Sequence, residues 1–142
     1  MMASVLPLLF VIATIVTLAA TGNLFTAAPA VILAQAVAVG VLVWARRSFA
    51  AGTFRVTAGP GGDAIISSGP YRFIRHPMYA AALLFVWSGV LSHPAALTLL
   101  LGAAATAIAL VRVRAEEKLL DARYPDYPEY RRATKALVPY LY

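Results

Sequence analysis

Two clusters of ionisable side chains stand at opposite ends of one long chargeless stretch of this chain. Their members are Arg75, His76 and Tyr79 in the first cluster, and Arg112, Glu116 and Glu117 in the second. Between them, residues 76–111 contain no Asp, Glu, Lys or Arg. If the stretch folds back on itself, cations, an imidazole and two carboxylates meet at one place. Such a site offers an acid to an ammonium group and a cation or helix end to a carboxylate, which suits a zwitterionic ligand.

The first cluster lies where a helix is expected to begin. Pro77 fits the first helical position, because the N–H that proline lacks would have no helical partner there. A helix N-terminus presents unpaired N–H groups and positive potential to an anion, and Tyr79 shares a helix face with His76. A capping histidine and a tyrosine that anchors a helix at the membrane boundary would explain the same residues. His76 alone therefore does not establish a ligand site.

The second cluster contains two adjacent acids about one turn beyond the apolar stretch. Arg112 and Glu116 are four residues apart and share a helix face, so an ordinary surface ion pair would account for Glu116 alone. Carboxylates this close to a bilayer, opposite Arg75 and His76, instead favour a site with both signs of charge.

The distribution of charge places these clusters in a membrane protein. The chain has 142 residues, of which 61% are hydrophobic and 13% charged, whereas a soluble domain carries about 25% charged residues. Residues 1–45 contain no charged side chain, and all charges lie within 46–75 and 112–135. Cysteine is absent, which excludes disulfides and a cysteine nucleophile. We expect an all-α integral membrane protein that forms a single domain over 1–142.

The apolar segments predict four transmembrane helices, because the bilayer core needs about 20 apolar residues, with a range of about 17–25. The expected spans are about 4–20, 28–45, 77–91 and 95–112. Gly22-Asn23 marks the first turn, and Pro94 separates the last two spans because proline disfavours helix at the residue before it. The cytoplasmic parts would be 46–75 and 113–142, with a small hairpin expected within 52–69 and a short helix expected over 129–136.

Arginine and lysine set the expected orientation. They fall in 46–75 and in the C-terminal tail, while the two opposite turns contain none. By the positive-inside rule both termini and the clustered site face the cytoplasm of a bacterial-type inner or cell membrane. The net charge of +6 does not indicate nucleic-acid binding, since the basic residues follow membrane ends and no nucleic-acid fold signature is present. Membrane lipids are the expected partners of these cations.

The order and spacing of several motifs resemble the isoprenylcysteine carboxyl methyltransferase family of membrane enzymes, to which phospholipid N-methyltransferases are similar. The motifs are Gly69-Pro70-Tyr71, Arg75-His76-Pro77-x-Tyr79, Arg112-x-Arg114-x-Glu116-Glu117, Tyr127-x-x-Tyr130 and Val138-Pro139. The resemblance covers roughly 46–142. It implies an S-adenosylmethionine-dependent methyltransferase that releases S-adenosylhomocysteine. It also implies a lipophilic or lipidated acceptor that enters from the bilayer, and it leaves a homo-oligomer open.

The resemblance also implies roles for individual residues. Catalytic roles would fall to Arg112, which could hold an acceptor carboxylate, and to Glu117, and no metal is implied. The cofactor-binding residues would be Tyr71, Arg75, His76, Pro77, Tyr79, Glu116, Glu117, Tyr130, Leu137 and Pro139. One departure is Ala81, where the family often has glycine.

Two other functions fit parts of the sequence. The Arg-His-Pro-x-Tyr element also resembles one found in membrane NADPH-dependent sterol reductases, but Met78 and Ala81-Ala82 replace the Asn and Gly-Glu expected there. A small membrane subunit without enzymatic activity is the other alternative. The acceptor itself, and the choice between O- and N-methylation, are not specified by the sequence.

Overall fold

The computed structural model describes residues 2–48 and 65–138, with side chains from residue 9 onward. The helices are α1 (Met2–Ala20), α2 (Pro29–Arg47), α3 (Pro77–Ser92), α4 (Ala96–Arg123) and α5 (Tyr127–Ala133), with a 3-10 helix at Gly69–Arg72. Within the described ranges there is no strand, and the expected all-α class is confirmed. The hairpin expected within 52–69 falls largely outside the described residues, and so does Pro139.

Prolines lie at the starts of α2 and α3, and the position of Pro77 was predicted from the sequence. Pro29 and Pro77 occupy the first positions of α2 and α3, where the missing N–H has no helical partner to lose. α4 begins two residues after Pro94, and it continues without a break past the end of the expected span to Arg123. This continuity holds Glu116 and Glu117 rigidly beyond the apolar part of the helix.

Two of the helices, α2 and α4, are long and apolar enough to cross a bilayer. α3 is shorter, and so is the apolar part of α1 described with side chains, Leu9–Ala20. The structure therefore supports a membrane protein with two candidate spans. The arrangement with four spans stays a prediction.

One end of the helical assembly is held together by the turn between α1 and α2. Leu24 in this turn is 1% exposed and packs with Leu18, Val86 and Val90 in an apolar cluster. The side-chain amide of Gln35 donates to the Leu24 carbonyl oxygen at 2.8 Å, so the buried backbone group is satisfied. The turn approaches Gly89 so closely that an added Cβ would lie 3.0 Å from the Leu24 Cα atom.

A second apolar cluster lies at the opposite end and brings the C-terminal segment to the start of α3. Its buried members are Val113, Ala136 and Leu137. The partly buried side chains packed against them are Tyr79, Ala80, Leu83 and Leu110. The segment after α5 is thus anchored between α3 and α4, beside both ionisable clusters.

Candidate functional site

The two clusters that flank the chargeless stretch meet in the folded chain. His76, the residue before α3, lies opposite the paired acids on α4. Its Nε2 atom is 3.3 Å from Oε1 of Glu117, and its Nδ1 atom is 3.7 Å from Oε2 of Glu116. The His76 side chain is 5% exposed. The convergence expected from the sequence is therefore present, and one imidazole contacts both carboxylates.

Glu117 is held as a carboxylate by two basic neighbours. Arg75 donates from Nε to Glu117 Oε1 at 2.7 Å, and His76 approaches the same oxygen. The hydrogen bond from His76 lowers the pKa of Glu117, burial opposes that shift, and the hydrogen bond and charge of Arg75 lower it further, to about 2. Glu117 is consequently ionised at neutral pH and accepts hydrogen bonds without competing for a proton.

Glu116 has a different pair of partners. The Tyr79 hydroxyl donates to Glu116 Oε1 at 2.6 Å. Arg112 Nε donates both to the Tyr79 oxygen, at 2.5 Å, and to Glu116 Oε1, at 3.0 Å. The Arg112 side chain is only 6% exposed, so this charge is largely desolvated and its interaction with the acid is strengthened. The site therefore contains two acids in separate hydrogen-bond environments.

The C-terminal segment runs alongside the residues that lead into α3. The Arg75 N–H donates to the Lys135 carbonyl at 2.7 Å, and the His76 N–H donates to the Ala136 carbonyl at 3.0 Å. Ile74 and Lys135 form an isolated parallel bridge. These backbone bonds place one wall of the site on residues close to the end of the sequence.

Tyr71 and Tyr130 connect the 3-10 helix to α5 at the edge of the site. The Tyr130 hydroxyl donates to the Tyr71 carbonyl oxygen at 2.7 Å. Burial raises the pKa of Tyr130 to about 12, against the opposing charge of Arg75. Burial also raises the pKa of Tyr71. Both tyrosines therefore stay protonated and act as neutral walls or hydrogen-bond donors.

Tyr127 is a further residue of this region, and the sequence assigned it no role. Tyr127, at the start of α5, is fully buried, and its ring centroid lies 6.0 Å from that of Tyr130. Burial raises the pKa of Tyr127, and the charge of Glu117 raises it further, which places this hydroxyl in the field of the acid. The Tyr-x-x-Tyr spacing was the only signal in the sequence, and it did not indicate which tyrosine is fully buried.

The remaining candidate residues that the structure describes, Pro77 and Leu137, are both buried. Pro77 is buried at the first position of α3. Leu137 is 7% exposed and packs in the apolar cluster with Val113, so it shields the site from one side. Among the described residues, no group of three or more His, Cys, Asp or Glu side chains could hold a metal ion.

The donor set fits a zwitterionic ligand in chemical terms. Two carboxylates can accept hydrogen bonds from an ammonium group, while the imidazole and two guanidinium groups can interact with a carboxylate. A family model described as phospholipid methyltransferase matches residues 24–127 of the chain. The chain belongs to this family. The matched range includes both ionisable clusters and ends at Tyr127, before the segment that pairs with Arg75 and His76.

Two curated relatives share part of the sequence with this family member. The cobalt-zinc-cadmium resistance protein CzcN of Cupriavidus metallidurans is 32% identical over 85 residues, which are 59% of this chain and 39% of that protein. The nickel-cobalt-cadmium resistance protein NccN of Alcaligenes xylosoxydans xylosoxydans is 30% identical over 78 residues, 54% of this chain and 37% of that protein. The matches thus span less than two-fifths of the length of either relative. No solved structure matches the chain.

Proposed function

We propose that this member of the phospholipid methyltransferase family is a membrane enzyme that methylates a lipophilic acceptor and uses S-adenosylmethionine as the methyl donor. The observation that carries the proposal is the approach of His76 to both Glu116 and Glu117, at the end of α4 next to the membrane. S-adenosylmethionine, when bound, supplies a methyl group on a positively charged sulfur. The acids and cations of the site match the opposite charges of its methionine part.

The residues that would hold the cofactor are those that the sequence resemblance implied. Glu116 and Glu117 would accept hydrogen bonds from the ammonium group, and His76 with the start of α3 would receive the carboxylate. The other members of the pocket would be Tyr71, Arg75, Pro77, Tyr79, Tyr130, Leu137 and Pro139, the last of which lies outside the described residues. The apolar side chains among them would exclude water from the transfer site.

The properties of Glu117 support an acceptor that reaches the site already ionised. Methyl transfer to a carboxylate needs no base, because a carboxyl group is ionised at neutral pH. The low pKa of Glu117, about 2, makes it a poor proton acceptor. Arg112, buried at the apolar end of the site, would orient the acceptor carboxylate. Positioning of the two reactants can supply about 7–11 kcal/mol of the barrier reduction.

Carboxyl O-methylation of a prenylcysteine-like lipid is therefore the favoured reaction. An amine acceptor, such as a phospholipid headgroup, is the other reaction within the same proposal. It would need a base to remove a proton, and His76 would be the candidate for that step. The two reactions can be distinguished experimentally by which acceptor receives the labelled methyl group.

A role in metal resistance is a second candidate, and the likeness to CzcN and NccN is the observation that favours it. Their names describe those proteins and do not say how they act. The two candidates are compatible if methylation of a membrane component is what confers resistance. Cells that lack this protein would then regain cobalt, zinc or cadmium resistance with the wild-type chain but not with Glu117→Gln.

The proposed function is tested by ligand binding and by transfer of labelled methyl groups. Calorimetry on detergent-purified protein should show binding of S-adenosylhomocysteine and none of NADPH. Methyl-labelled S-adenosylmethionine should then label a prenylcysteine analogue rather than phosphatidylethanolamine or a fatty acid. Glu117→Gln should abolish labelling, while Glu129→Gln, which removes an exposed carboxylate on α5, should retain it. Binding of NADPH instead of S-adenosylhomocysteine would contradict the assignment.

A further inference from the structure

The Arg75 side chain is hydrogen-bonded to several parts of the protein itself. Its Nε atom donates to Glu117 on α4, while its Nη1 atom donates to the backbone carbonyls of Arg131 at 3.0 Å and Thr134 at 2.5 Å. Nη1 also lies 3.5 Å from the Thr134 hydroxyl. One planar guanidinium therefore joins the start of α3, the acid on α4 and the end of α5.

The surroundings of Arg75 favour a fixed arrangement. The Arg75 side chain is 9% exposed, so its charge is balanced inside the protein by Glu117 and by carbonyl oxygens. Backbone hydrogen bonds join the same two segments. The Lys135 N–H donates to the Phe73 carbonyl at 3.2 Å, and the Lys135 carbonyl accepts from the Arg75 N–H. Thr134 itself is buried and donates to the Tyr130 carbonyl at 2.6 Å. Side chain and backbone thus hold the same segment.

We infer that Arg75 is a positioning residue, which fastens the segment 131–137 to the start of α3 and sets the place of the Glu117 carboxylate. The inference rests on the proposed function for the identity of the ligand and assigns Arg75 a different role from the cofactor contact implied by the sequence resemblance. Because Glu117 Oε1 is shared by Arg75 and His76, a displaced guanidinium would move the acid away from the imidazole. The C-terminal segment then becomes part of the site through Arg75.

The Arg75→Lys variant separates this role from a direct contact with the ligand. Lysine retains the charge, but its N–H donors all lie on one nitrogen atom. The guanidinium of arginine has donors on separate nitrogen atoms and therefore reaches an acid and two carbonyls together. If Arg75 positions the segment, Arg75→Lys and Arg75→Gln should both lose about tenfold or more in S-adenosylhomocysteine affinity. If Arg75 only supplies charge to the ligand, Arg75→Lys should bind almost as tightly as the wild type, and the inference is wrong.

Two further measurements identify the cause of a loss. Hydrogen exchange on ligand-free protein should become faster at the Arg75, His76 and Lys135 amides in both variants. Affinities for S-adenosylmethionine and for its decarboxylated analogue should fall by the same factor in Arg75→Lys, since a positioning residue does not depend on the ligand carboxylate. A loss confined to the ligand that retains its carboxylate would establish direct contact and overturn the inference. Unchanged exchange at all three amides would do the same.

The matched control is Arg131→Gln. It removes a positive side chain from the same segment but leaves the carbonyl that Arg75 uses, and Arg131 is 48% exposed with Asp121 at 3.9 Å. This variant should show wild-type exchange and affinity. Retention of helical circular dichroism and of the elution volume in detergent shows that each variant is folded. The exchange measurement needs no ligand, so it decides whether Arg75 holds the segment even if the wild type does not bind S-adenosylmethionine.

Discussion

The hydroxyl of Tyr79 lies between Arg112 and Glu116, where it accepts from the guanidinium at 2.5 Å and donates to the carboxylate at 2.6 Å. The same Arg112 Nε also reaches Glu116 directly, at 3.0 Å. The three groups therefore form a closed triangle, with the phenol from α3 and the two ions from α4. A phenol in this place fixes the distance between the two helices at the membrane end of the site.

Removing this hydroxyl should impair catalysis more than folding. Tyr79→Phe leaves the ring in its apolar surroundings but deletes one acceptor for Arg112 and one donor to Glu116. Hydrogen bonds to charged groups contribute about 1.5–3 kcal/mol, so we expect kcat/KM for methyl transfer to fall by about 10- to 100-fold. Steady-state kinetics with a labelled methyl donor measures this loss.

Thr106→Val is the matched control for Tyr79→Phe. Thr106 accepts a hydrogen bond from the Trp87 indole at 2.9 Å, between α3 and α4 but away from the acids. Hydrogen bonds between helices in membranes contribute about 0.6 kcal/mol on average, so kcat/KM should stay close to that of the wild type. Equal losses in both variants would mean that the Tyr79 hydroxyl acts only through helix packing.

The pKa of Glu117 predicts how stability depends on pH. Its value in the folded protein, about 2, lies below the ordinary value of 4.5. A depressed carboxyl pKa stabilises the fold above the ordinary value, and this contribution disappears as the pH falls through the folded value. The difference in melting temperature between wild type and Glu117→Gln should therefore be constant near neutral pH and shrink between about pH 4.5 and 2.

Thermal unfolding in detergent at a series of pH values measures this difference. Glu129→Gln, which removes the same charge from an exposed position on α5, controls for the general effect of net charge. The assigned environment of Glu117 is wrong if wild type and Glu117→Gln lose stability in parallel throughout the acid range.

Much of the helical arrangement could be predicted from the sequence because its signals are local. Pro77 marks a helix start at the expected place, and the helices expected over 28–45 and 95–112 begin within one residue of the starts of α2 and α4. The short helix expected over 129–136 lies at Tyr127–Ala133, two to three residues earlier, because Pro128 favours the first turn rather than preceding it. The approach of His76 to Glu117 also followed from sequence, since the ends of an apolar hairpin lie together.

The contribution of the C-terminal segment could not be predicted in the same way. Its pairing with residues before α3 joins positions 56 to 62 apart, such as Arg75 with Thr134, and no periodic pattern encodes such contacts. The family resemblance placed Arg75 among the ligand contacts. Its actual partners include backbone carbonyls, which carry no sequence signal.

The conformation of Gly69, at the junction of α2 and the 3-10 helix, predicts that adding a side chain there destabilises the protein. Its φ angle is +59°, and an added Cβ would collide with the Ser48 hydroxyl and lie 3.2 Å from Trp44 Nε1. A left-handed conformation costs a residue with a side chain about 1–2 kcal/mol. Gly69→Ala should therefore lower the melting temperature, measured by thermal unfolding in detergent. Gly40→Ala, where an added Cβ meets no atom within 4 Å, should not.

The contact between Arg75 and Glu117 also bears on the number of membrane spans. Arg75 precedes α3 and Glu117 lies near the end of α4, yet their side chains are 2.7 Å apart. The start of α3 and the end of α4 are therefore on one side, so if α4 crosses the bilayer α3 must cross it as well. The packing of Gly69 against Trp44 places the end of α2 on that side too.

Cysteine labelling tests this arrangement directly, because the chain has no cysteine of its own. With four spans, a membrane-impermeant maleimide should label Ala27→Cys and Ala95→Cys from outside intact cells. Arg47→Cys and Arg132→Cys should react only after permeabilisation. If α2 and α4 alone crossed, Ala95→Cys would instead share the side of Arg47→Cys, and Arg132→Cys would lie opposite. That outcome would also place the basic tail outside, against the positive-inside rule, and it would separate the acids from the cytoplasmic supply of S-adenosylmethionine.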